Sequence, residues 1–139
     1  MKHRKLTLVL GTTVALGAIT WGARVLQAEE GFKRVPLQKQ DLTIANHEAV
    51  QARGEFGAGA GTPKHTHPGE EVGYVLEGTI VMEQEGKPPA TLKAGDVFFI
   101  PAGQVHAAKN SGTTPAKVLS TYIVEKGKPL MTPVPAAKK

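Results

Sequence analysis

The chain has 139 residues, with 17 Lys and Arg against 12 Asp and Glu, five His, 16 Gly, 10 Pro and no Cys. That is one domain's length, and the missing cysteine excludes a disulfide scaffold, a thiolate-ligated zinc or iron–sulfur site and a catalytic thiol. Residues 1–28 hold Lys2, Arg4, Lys5 and Arg24 and no acid, so the rest of the chain is nearly neutral, and no basic cluster interleaved with aromatics marks a nucleic-acid surface.

Residues 1–5 form a basic head, residues 6–23 are uncharged, and Ala28 precedes Glu29-Glu30. This reads as a secretory signal peptide over 1–28, with an uncleaved membrane anchor as the alternative. Both imply export to the periplasm or the medium, and contact with a membrane only if the leader is kept. Arg4-Lys5 is not a twin-arginine pair, so the expected route threads the unfolded chain across the membrane.

Residues 29–46 form a mixed lead-in. The domain proper is expected over 47–126, followed by a Pro-rich tail over 127–139 that is extended or disordered. Between Gly and Pro punctuation lie strand-length apolar or alternating runs at 47–56, 64–77, 79–85, 90–93, 97–100, 105–108 and 117–124. No helical period is sustained after the leader. Many short strands predict an all-β fold, a small antiparallel barrel or sandwich.

Of the histidines, His3 is in the leader and His47 stands alone as a surface residue. His65 and His67, two apart on one strand, project from the same side; Glu71 shares their parity and Glu70 does not. Imidazole and carboxylate suit a divalent transition metal such as Fe, Mn, Ni, Cu or Zn. A further His from a partner strand would complete the site, and His106 is the remaining candidate.

The spacing carries more than the dipeptide. GAGTPKHTHPGEEVGYVLEG over 59–78 and GDVFFIPAGQVHAAKN over 95–110 resemble the two motifs of the cupin superfamily, 16 residues apart, and the resemblance covers about 54–122. It implies a small jelly-roll barrel binding one metal through His65, His67, Glu71 and His106. It also implies a homodimer, since small single-barrel cupins commonly pair. The superfamily includes oxygenases, decarboxylases, isomerases, lyases and non-enzymatic binding proteins, so the fold alone selects none of them. A chain of this length holds one barrel and not two, and a Cys–Tyr crosslink is impossible.

The expected function is a metal-dependent, oxygenase-like enzyme on a small organic substrate that chelates the ion, with Glu71 as ligand and proton acceptor. The alternative is a non-enzymatic exported domain that binds a small ligand or the metal itself. Loading outside the cytoplasm favours the tighter-binding Cu, Zn or Ni over Fe or Mn. Candidate pocket residues are Gly73 and Val75, by parity with Glu71, and Met82, Phe98, Phe99 and Tyr122 as an apolar wall. Gly73 is expected to leave space beside the ion, the other reading being a close contact there. Only Arg34 and Arg53 remain after the leader, so no Arg-rich carboxylate clamp is expected. Asp96 and Asn110 are assigned to turns.

Overall fold

The computed structural model describes residues 31–135; the predicted leader and the last four residues lie outside them. Among the described residues there are ten strands and no helix. They are β1 (Phe32–Asp41), β2 (His47–Phe56), β3 (His65–Thr66), β4 (Glu70–Glu77), β5 (Thr79–Gln84), β6 (Ala90–Lys93), β7 (Val97–Ile100), β8 (His106–Lys109), β9 (Ala116–Glu125) and β10 (Thr132–Pro133). Two five-stranded antiparallel sheets, β1-β2-β9-β4-β7 and β10-β3-β8-β5-β6, make an antiparallel jelly roll.

The alternation of β9 shows why this sequence takes this form. Ala116, Val118, Ser120, Tyr122 and Val124 are buried, while the residues between them are half-buried, the period of a strand with one face on a core. Phe56, Val75, Ile80, Met82, Ile100 and Val118 from both sheets form the main cluster. Each such side chain contributes about 1.5–3 kcal/mol on full burial. A second cluster gathers Ala52, Tyr122 and Val124 under Val50 and Leu130.

Two segments differ from the sequence expectation, and a third takes one of the two forms expected of it. Residues assigned to a mixed lead-in form β1, a ten-residue strand paired along β2 with one irregularity between Pro36 and Gln38. The run at 64–77 is two strands in different sheets, because the chain leaves the β10–β3–β8 sheet at Pro68-Gly69 and enters the other as β4. A Cβ on Gly69 would lie 1.9 Å from the Ile123 carbonyl oxygen, so only glycine fits at that corner. The start of the tail is extended and ordered: Thr132 and Pro133 pair with Thr66 and His65, and the Val134 amide donates to the Lys64 carbonyl at 2.8 Å.

Candidate metal centre

His65 and His106 are direct partners across β3 and β8. His106 is delivered by the turn at Pro101–Gln104, where Gly103 takes φ 71°, a left-handed conformation favouring glycine. The Gly103 amide donates to the His67 carbonyl at 3.0 Å, tying the two motif segments together. Glu71 comes from the opposite sheet, paired with Ile100 and Tyr122. All four residues are at least 95% buried. The His65, His67 and His106 ligand atoms lie within 4.8 Å of one another, and Glu71 Oε2 is 3.1 Å from His67 Nε2 and 3.4 Å from His106 Nε2. Glu71 does meet the histidines, but not through parity along one strand: the strand is broken at Pro68-Gly69, and Glu71 reaches them from the facing sheet.

Each Nδ1 donates to a carbonyl: His65 to Pro63 at 2.8 Å, His106 to Gln104 at 2.9 Å and His67 to Leu130 at 2.5 Å. A carbonyl only accepts, so Nδ1 carries the proton, and in a neutral ring Nε2 then presents a lone pair to the cluster. Burial pushes His65 down to about 4, keeping that ring neutral at neutral pH. Burial alone would raise the Glu71 carboxyl; the Ser120 hydroxyl can donate to it and oppose that rise, whereas an Nε2 lone pair of His67 or His106 cannot. Among the described residues His67 Nε2 is buried with no hydrogen-bond partner. A neutral imidazole lone pair facing a carboxylate at 3.1 Å is electrostatically unfavourable unless a cation lies between them. Three imidazole nitrogens and one carboxylate are a fitting donor set for a divalent transition ion.

A cavity of about 40 Å³ opens on the cluster, room for a few water-sized groups. His65, Glu71 and His106 border it with Met82, Phe98 and Tyr122 among the expected wall residues. Burial and the Glu71 charge push the Tyr122 hydroxyl up to about 12, so it stays a proton donor. Three expected lining residues fall elsewhere. Phe99 faces outward and is 52% exposed, because β7 alternates Phe98 and Ile100 inward against Val97 and Phe99 outward. Val75 is wholly buried in the main core and does not border the cavity. Gly73 leaves no space beside the site: a Cβ there would lie 1.9 Å from the Phe98 ring, which covers it.

The sequence reading also missed a residue. Arg34, on the unforeseen β1, borders the cavity; the inward parity of Phe32 and Arg34 was the available signal. Asn110 does what was expected, donating to the Phe56, Gly57 and Thr114 carbonyls and accepting from the Gly112 amide. Asp96 likewise accepts from the Lys93 amide at 2.8 Å.

Residues 52–122 match the family described as the cupin domain. A germin-like protein, subfamily 2 member 2, of Arabidopsis thaliana is 42% identical over 76 residues, covering 51% of this chain and 35% of its own. An oxalate-binding protein of Thermotoga maritima is 35% identical over 80 residues, covering 57% of this chain and 65% of its own. The chain thus spans about a third of the germin-like relative and under two thirds of the Thermotoga one. Among solved structures, the protein TT1209 from Thermus thermophilus superposes with a TM-score of 0.55 at 27% identity, over 67% of this chain and 84% of that one.

Proposed function

This chain belongs to the cupin family, and on that premise we propose that it is an exported enzyme that holds one divalent transition metal through His65, His67, His106 and Glu71 and acts on a small organic molecule that chelates the ion through oxygen. The observation that carries this reading is His67 Nε2, buried, without a hydrogen-bond partner among the described residues and 3.1 Å from a Glu71 carboxyl oxygen. The bound ion would act as a Lewis acid, polarising the oxygens of a chelated substrate. Around it the protein supplies the rest. Three imidazoles fixed through Nδ1 give a rigid neutral face; Glu71 balances charge and is the group placed to accept a substrate proton. Tyr122, held protonated, donates a hydrogen bond, and Phe98, Ile80, Met82 and Val118 border the cavity with apolar surface that excludes water. The oxalate-binding name of the Thermotoga relative supports a small oxygen chelator, and the leader at 1–28 supports export. Loading outside the cytoplasm favours Cu, Zn or Ni, with Fe and Mn the alternatives.

Val72, Tyr74 and Leu76 on β4 and Val97 and Phe99 on β7 are each at least 40% exposed on the outer face of one sheet. A stripe of this kind beside an edge strand supports pairing with a second copy of the chain. A Phe99→Asp variant is expected to halve the mass seen by light scattering while keeping its metal.

Elemental analysis of protein from its native compartment, followed by turnover assays of that metal form, tests the main reading. One ion per chain with turnover of a small chelator supports the enzyme. Saturable binding without turnover supports the non-enzymatic binding protein instead, and absence of metal rejects the metal-dependent enzyme.

A further inference from the structure

Arg34 faces the proposed metal centre without contributing to it. It stands on β1, outside the segment 52–122 that matches the family, and borders the cavity together with His65, Glu71, His106 and Tyr122. Its register partner on β2 is Gly54, which also borders the cavity and has no side chain to compete for the inner face. The guanidinium carbon is 5.8 Å from the Phe32 ring centroid, and Nη2 lies 3.5 Å from Met131 Sδ, a weak acceptor. Among the described residues Arg34 forms no ion pair with a carboxylate, whereas Arg53 is paired with Glu55 at 2.8 Å. A half-buried guanidinium offers five N–H donors in a planar fork, and leaving them without strong acceptors is costly.

Charge balance points the same way. Three neutral imidazoles, one carboxylate and a divalent ion leave one net positive charge, and Arg34 adds a second on the same small cavity. A neutral chelator compensates neither. The guanidinium fork matches a carboxylate in bidentate geometry, and a cavity of about 40 Å³ admits only a few heavy atoms.

We propose that Arg34 determines specificity, making the ligand a small carboxylate anion whose oxygens are shared between the metal centre and the Arg34 guanidinium. This rests on the metal-centre reading above and names its substrate class.

The experiment is calorimetric titration of metal-loaded protein with glycolate and with glycolamide, its neutral isostere, for wild type, Arg34→Gln and Arg34→Lys, with metal content measured on each. Wild type is expected to prefer glycolate at least tenfold. Arg34→Gln should lose about 10–100-fold for glycolate and little for glycolamide, at unchanged metal content. Arg34→Lys, which keeps the charge without the fork and serves if the glutamine variant does not fold, should fall between. Equal glycolate affinity in wild type and the variants, or equal affinity of wild type for the two probes, at full metal content overturns the role of Arg34 and leaves the metal centre standing. Wild-type protein that takes up no metal overturns the reading beneath it and the proposal together.

Discussion

His65 and His106 are oriented locally and His67 is not. The first two donate through Nδ1 to the carbonyl two residues earlier on their own segments, at Pro63 and Gln104, whereas His67 donates to Leu130, 63 residues away. One motif segment therefore carries two histidines held by different means. The geometry of His65 and His106 follows from the turns beside them, but that of His67 depends on a segment beyond the last long strand being docked. The lesson is that the part of the chain least like a domain, the Pro-rich run after Gly127, positions one of the proposed ligands.

The largest effect separates ligands from their surroundings. His65→Ala, His67→Ala and His106→Ala should each weaken metal affinity about 100-fold or more, by competition against a chromophoric chelator. Glu71→Gln should cost less, since an amide oxygen remains, and Glu70→Gln should be near neutral because its side chain lies on the other face of β4.

Next comes the contrast itself. Deleting residues 129–139 removes the Leu130 carbonyl and should weaken metal binding about 10–100-fold, with circular dichroism still reporting the β fold. Gln104→Ala keeps the carbonyl used by His106 and should change affinity little. If the deletion leaves affinity untouched, local and remote anchoring do not differ in consequence.

Gly73→Leu should destabilise the fold by about 1–3 kcal/mol through its clash with Phe98, measured by urea denaturation, and Phe98→Ala should recover part of that loss in the double variant. The smallest effect is in pH. His65 titrates near 6.5 when unfolded and is pushed by burial to about 4 when folded, so the unfolded chain takes up this proton first. The stability that His65 contributes is present above about 6.5 and is lost as pH falls toward 4. Metal-free protein should lose a few degrees of Tm across that window, and His65→Asn should flatten the slope.

These contrasts mark what was legible in the sequence. Turn glycines and alternation in the strands are local signals, and they sufficed for an antiparallel barrel or sandwich; the jelly roll and the four-residue cluster were legible only through the resemblance of 59–78 and 95–110 to the cupin motifs. Phe98 against Phe99 turned on the phase of a four-residue strand, too short for its pattern to choose a face. Gly73 was ambiguous because an absent side chain reads alike as space and as contact; a ring from a neighbouring strand decided it. Arg34 and Leu130 were missed because their roles depend on pairing with distant segments, β1 on β2 and the tail on β3, which no local pattern encodes.

Anomalous diffraction from crystals of metal-loaded protein tests the central claim most directly. One strong peak per chain is expected, within about 2.0–2.2 Å of Nε2 of His65, His67 and His106 and of a Glu71 oxygen, with Leu130 still accepting from His67 Nδ1. A peak elsewhere, or loaded protein in which His67 turns its Nδ1 toward the ion, would contradict it.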